Sequence, residues 1–99
     1  MTRTVIITGA GSGIGAATAR RFADDGWNVV LNGRTKEKLQ HVAKDLLEMH
    51  CHVVSGDVSS PAEVEKLVEE TVATFGGLTC LVNNAGIARG GAPGELSHA

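Results

Sequence analysis

Seven residues near the start of the chain, Gly9-Ala10-Gly11-Ser12-Gly13-Ile14-Gly15, restrict its fold more than any other stretch. They follow Thr4 to Thr8, a short β-branched run that reads as a strand buried on both faces. They lead into Ile14, Ala17, Thr18, Phe22 and Ala23 at helical spacing, with Gly26 as a C′ stop. Glycines in such a turn let the backbone bend tightly and approach a phosphate without a Cβ clash. The helix N-terminus then offers free N–H groups and a partial positive charge to an anion. The last glycine allows close packing of helix on strand.

The rest of the chain repeats the alternation. Trp27 to Leu31 reads as a second buried strand, followed by a helix capped by Thr35 with the apolar stripe Leu39, Val42, Ala43, Leu46 and Leu47. Cys51 to Ser55 is a third strand. Ser60, Pro61 and Glu63 stand at N-cap, N1 and N3 of a capping box, and Val64, Leu67, Val68, Val72 and Phe75 form that helix's apolar face up to Gly76-Gly77. Leu78 to Val82 is a fourth strand. The order βαβαβαβ predicts a Rossmann-type, doubly wound parallel α/β sheet of about four strands in the order 3-2-1-4. Two helices should cover one face and the third the other. Strand 4 is left as an edge, with Leu81 and Val82 partly uncovered and open to self-association.

From Gly86 onward the residues read as loop, and Ser97 resembles an N-cap with only two residues after it. The expectation is therefore that residues 1–99 are the amino-terminal part of one truncated domain. The net charge of -2 gives no reason to expect a nucleic-acid or anionic-membrane partner. No run reaches the roughly 18 apolar residues of a membrane span, and the first residues do not read as a signal peptide. Cys51 and Cys80 read as buried, reduced thiols of a cytoplasmic protein. The four histidines lack metal-ligand spacing.

Three further stretches fall at the carboxyl ends of strands, where ligands lie in open α/β sheets. After strand 2, where a carboxylate would hold a ribose 2′-hydroxyl, the chain has Asn32-Gly33-Arg34. A guanidinium there suits a 2′-phosphate and favours NADP(H) over NAD(H). A solvated loop charge beside Lys36 and Lys38 is the alternative. Asp57-Val58 follows strand 3, where the acid either meets an adenine amino group or caps a turn. Asn83-Asn84-Ala85-Gly86 follows strand 4, either fixing backbone across the crevice or forming an Asn-rich turn.

Together these pieces resemble the short-chain dehydrogenase/reductase family, in its compact branch. Thr8, Gly9, Gly13 and Gly15 match its Thr-Gly-x-x-x-Gly-x-Gly cradle, Asn83 to Gly86 its Asn-Asn-Ala-Gly, and Asp57 its acid after strand 3. The resemblance implies NAD(P)(H) binding and hydride transfer between a carbonyl and an alcohol. It also implies a cofactor site of Gly9, Gly11, Ser12, Gly13, Ile14, Gly15, Arg34, Asp57, Val58, Asn84, Ala85 and Gly86. Thr8 with Asn83-Asn84 would tie strands 1 and 4 together. The family's catalytic Ser and Tyr-x-x-x-Lys, and its oligomer-forming helices, belong to a later portion. The 99 residues contain no tyrosine, and Ser97 comes too early for the serine role. No catalytic residue is therefore assigned. Three readings follow: the cofactor-binding part of an oxidoreductase, inactive by itself; a small nucleotide-binding module; or an interaction fragment.

Overall fold

The computed structural model describes residues 3–84, so Ala85, Gly86 and Ser97 lie outside the described residues. Four strands alternate with three helices: β1 (Thr4–Ile7), α1 (Gly13–Asp24), β2 (Asn28–Gly33), α2 (Lys36–Ala43), β3 (Cys51–Ser55), α3 (Pro61–Phe75) and β4 (Cys80–Val82). All pairings are parallel and the sheet order is β3-β2-β1-β4, as the alternation predicts. Val5 stands level with Val29 on one side and Cys80 on the other, and Val29 with Cys51.

The central strands carry the core because they are covered on both faces. Val5, Ile7, Val29 and Leu31 pack with Ala16 and Ala19 of α1 and Leu39 and Val42 of α2. On the opposite face, Ile6, Val30 and Val54 meet Leu67 of α3. Ile6, Ile7, Leu31 and Leu39 are fully buried. Each such side chain contributes about 1.5–3 kcal/mol through removal of apolar area from water. Among the described residues, no helix is long and apolar enough to cross a membrane.

Three details of how the helices face and where they end differ from the sequence-based expectation. The buried face of α1 is Gly15, Ala16 and Ala19, while Ile14 is 64% exposed. The helix is rotated by the glycine contact described below, which a face centred on Ile14 would not permit. Next, α2 ends at Ala43 instead of continuing through Leu47. Asp45 and Leu46 donate to carbonyls three residues back, and a 3-10 turn over Glu48–His50 leads into β3, leaving Leu47 72% exposed. Finally, Leu67 and Thr71 are the buried residues of α3, whereas Val64, Val68 and Val72 are at its exposed margin. Thr71 tolerates burial because its hydroxyl donates to Leu67 O at 2.8 Å.

At the edge of the sheet Leu81 is 55% exposed and Val82 is half-buried. The cysteines are half-buried, not fully buried, and free. They sit on opposite outer strands with two strands between them, about 14 Å apart at normal strand spacing, too far for a disulfide. Burial pushes the Cys51 thiol from 9.0 up to about 11. The folded state therefore holds that proton more tightly than the unfolded chain. Its contribution to stability should be intact below pH 9 and lost as pH rises toward 11. Urea unfolding from pH 7 to 11 checks this, with Cys51→Ala expected to remove that part of the alkaline decline.

Candidate functional site

Residues Thr8 to Ser12 carry the chain from β1 to α1 across the carboxyl edge of the sheet. Gly9 has φ of 62° and Gly13 of 59°, a left-handed region that favours glycine. A Cβ built on Gly15 would collide with Gly9 O and would lie 2.6 Å from Asn84 Nδ2 and 2.8 Å from Gly9 C. Only glycine fits there, and this contact fixes how α1 is rotated on the sheet.

The loop after β4 locks the cradle from the other side. Thr8 Oγ1 accepts from the Asn84 N–H at 2.8 Å, and its own proton is directed at Asn83 Oδ1 at 3.1 Å. Asn84 Nδ2 donates to Gly9 O at 3.2 Å, and Thr8 N–H donates to Val82 O at 3.0 Å. The structure thus joins the ends of β1 and β4 through Thr8 and the asparagine pair. Asn84 is buried and acts on the shape of the cradle. Thr8→Val keeps the volume but strands the Asn84 N–H, at an expected cost of about 1–3 kcal/mol in denaturant unfolding.

The N-terminus of α1 has no charge partner within its own first turn. Ser12 is the N-cap, yet its side chain makes no capping hydrogen bond, and the first turn holds no acid. The first turns of α2 and α3 hold Glu37 and Glu63. Free N–H groups and the positive end of the helix dipole therefore face the loop without a local carboxylate.

Beside this end lies a cavity of about 280 Å³ along the carboxyl edges of β1, β2 and β3. Of the sequence-predicted residues, Gly9, Gly11, Ser12, Arg34, Asp57 and Val58 line it. Gly13, Ile14, Gly15 and Asn84 stand outside its wall, in the first turn of α1 and behind the cradle. Asn32, Gly33, Thr35, Lys38, Leu39 and Gly56, outside the site expected from the sequence, also line it. Lys38 had a legible signal, since it falls in the first turn of the helix that starts beside Arg34. A Cβ on Gly11 would sit 3.1 Å from Lys38 Cβ, so the glycine admits the lysine stem to the wall. Asn32 is buried and donates to Val54 O at 2.9 Å, while its carbonyl accepts from Ala10 N–H at 2.9 Å.

Arg34 Nη2 and Asp57 Oδ1 are 4.0 Å apart across the cavity, with side chains 69% and 44% exposed. A pair so exposed is weak, and the guanidinium can turn to a stronger anion. Asp57 Oδ1 also accepts from Ser59 N–H at 2.9 Å. The capping box is not reciprocal. Ser60 makes no side-chain cap, and Glu63 Oε2 accepts from the Asp57 N–H at 2.8 Å instead. Glu63 thereby anchors the loop that presents Asp57, while the Ser60 N–H is already given to Asp57 O at 3.0 Å.

The family model described as short chain dehydrogenase matches residues 3–99. The chain belongs to that family. This short-chain dehydrogenase sequence is 47% identical over 87 residues to an uncharacterized oxidoreductase of Staphylococcus haemolyticus, covering 88% of the chain and 38% of the relative. It thus spans well under half the length of that relative. The fold matches the 3-ketoacyl-(acyl-carrier-protein) reductase from Brucella melitensis complexed with NADH, with TM-score 0.76 and 37% identity over 80% of this chain and 32% of that one. It also matches an actinorhodin polyketide ketoreductase with NADPH, with TM-score 0.79 and 36% identity over 84% of this chain and 33% of that one. One solved relative holds each cofactor, so the likeness leaves the choice between them to the residues of the short-chain dehydrogenase itself.

Proposed function

We propose that these residues form the nucleotide-binding part of an NADP(H)-dependent oxidoreductase acting on a carbonyl or alcohol. The supporting observation is one cavity that joins the uncapped N-terminus of α1 to Arg34 and Lys38. In this reading the backbone N–H groups of Gly13 to Gly15 face the pyrophosphate. Arg34 takes the 2′-phosphate through its planar fork, with Lys38 adding a second positive charge. Asp57 faces the adenine amino group and Val58 its ring. Asn84, whose side chain holds Gly9 O, supports the cradle from the β4 side. The cofactor, when bound, supplies the hydride.

The cavity fits such a guest. Gly9 and Gly11 bring bare backbone to its wall, Asn32 and Gly33 end β2 without a carboxylate, and Asp57, 4.0 Å from Arg34 on the same wall, is the acid this reading turns toward the adenine. The family's proton-transferring tyrosine has no counterpart in the 99 residues. General acid catalysis needs a positioned group near the reacting oxygen. These residues alone are therefore expected to bind and not to turn over. The protein incubated with NADPH and a panel of carbonyl compounds should show no oxidation above background, and measurable oxidation would overturn that part of the reading.

A second reading is favoured by the exposed Val64, Val68, Val72 and Leu81: association of a second copy along the β4 edge. A sedimentation coefficient that rises with concentration supports it, and a constant monomer value excludes it.

A further inference from the structure

A second cavity, of about 170 Å³, lies at the opposite end of the sheet from the cradle. Its wall is Ala23, Gly26, Trp27, Leu46, Leu47 and His50. Trp27 directly precedes β2 and His50 directly precedes β3, so the cavity sits at the amino edge. The six residues of β2 separate it from the dinucleotide crevice by about 20 Å. We propose that this cavity is a binding site for a single-ring aromatic molecule bearing a hydroxyl or N–H donor, separate from the dinucleotide site.

Three observations carry the assignment. First, the wall is mostly apolar and its indole is held in place. The Phe22 ring meets Trp27 edge-on at 4.8 Å, and the Arg3 guanidinium lies over the indole at 4.6 Å. A fixed ring presents a ready surface to a second ring. Second, the volume suits one ring, since an apolar cavity of about 150 Å³ accepts benzene. Leu47, 72% exposed, leaves a large apolar side chain uncovered at the mouth.

Third, the wall's side chains offer one hydrogen-bond acceptor, and its chemistry is set from outside the cavity. His50 Nδ1 is 2.8 Å from Asn28 Oδ1. Asn28 Nδ2 is committed to Thr4 Oγ1 at 3.4 Å, so the oxygen of the amide faces the imidazole. An amide oxygen only accepts, so Nδ1 carries the proton. In the neutral ring Nε2 is then the bare acceptor, and no other described residue donates to it. A phenol-like ring satisfies the single acceptor and fills the apolar remainder.

Phenol and toluene have nearly the same shape and differ in the donor, so the pair isolates the imidazole's part. Each is titrated into the full chain at pH 7.5 while the indole N–H resonance of Trp27, the only tryptophan, is followed by NMR. Both ligands should shift that resonance, with phenol bound about five- to tenfold more tightly, the worth of one hydrogen bond. His50→Leu should abolish the preference while leaving toluene binding in place. Ala23→Leu, which fills the cavity, should abolish both. Equal affinities in the parent chain, an unmoved Trp27 resonance, or undiminished binding in Ala23→Leu would each overturn the proposal, whether or not His50→Leu folds.

Discussion

Gly15→Ala is expected to destabilise the chain by about 3 kcal/mol or more in urea unfolding, at the upper end of overpacking effects. The added methyl would collide with Gly9 O and stand 2.6 Å from Asn84 Nδ2. Neither neighbour can yield cheaply. Gly9 is backbone in a left-handed turn, and Asn84 is buried and hydrogen-bonded on both its N–H and its amide. Two other glycines calibrate the effect. Gly13 has open space around its missing Cβ but a φ of 59°, so Gly13→Ala should cost only about 1–2 kcal/mol of backbone strain. Gly77 has open space and no positive φ, so Gly77→Ala should be close to neutral. A Gly15→Ala variant as stable as Gly77→Ala would mean that α1 does not pack against the cradle as described.

Arg34→Ala is expected to weaken binding of 2′,5′-ADP by about 10- to 100-fold, the range for losing a charge-assisted hydrogen bond to phosphate. Binding of 5′-AMP, which lacks the 2′-phosphate, should change by no more than about twofold. Stability should move within about 0.5 kcal/mol, because the Arg34–Asp57 pair is long and largely solvated. Arg34→Lys should fall between, retaining charge without the planar fork. Calorimetric titration of both nucleotides separates these outcomes. Equal losses for both would assign Arg34 to general electrostatics, not to recognition of the 2′-phosphate.

The sheet order was legible because alternating apolar runs and amphipathic stretches with short connections leave few parallel topologies. The tie between Thr8 and the Asn83-Asn84 pair was legible only through the family resemblance. Their separation of 75 and 76 residues gives no local signal. The facing of α1 was misread because hydrophobicity favoured Ile14, whereas a backbone contact at Gly15 decides the rotation. The length of α2 was misread because Leu46 and Leu47 continue its apolar spacing. Arg20 and Asp45, 3.0 Å apart, accompany a turn that the spacing does not encode. Glu63 fits a capping box in sequence, but folding offers it the Asp57 N–H. Lys38 stood in the first turn of the helix beside Arg34, but its place on the cavity wall also depends on Gly11, remote in the sequence.

The most direct test of the nucleotide assignment is a backbone amide NMR titration with NADPH. Shifts should concentrate in Gly9 to Gly15, Arg34 to Lys38 and Gly56 to Val58, with the amides around Trp27 and His50 unmoved. No shifts at millimolar NADPH, or shifts that spare Gly13 to Gly15, would contradict it.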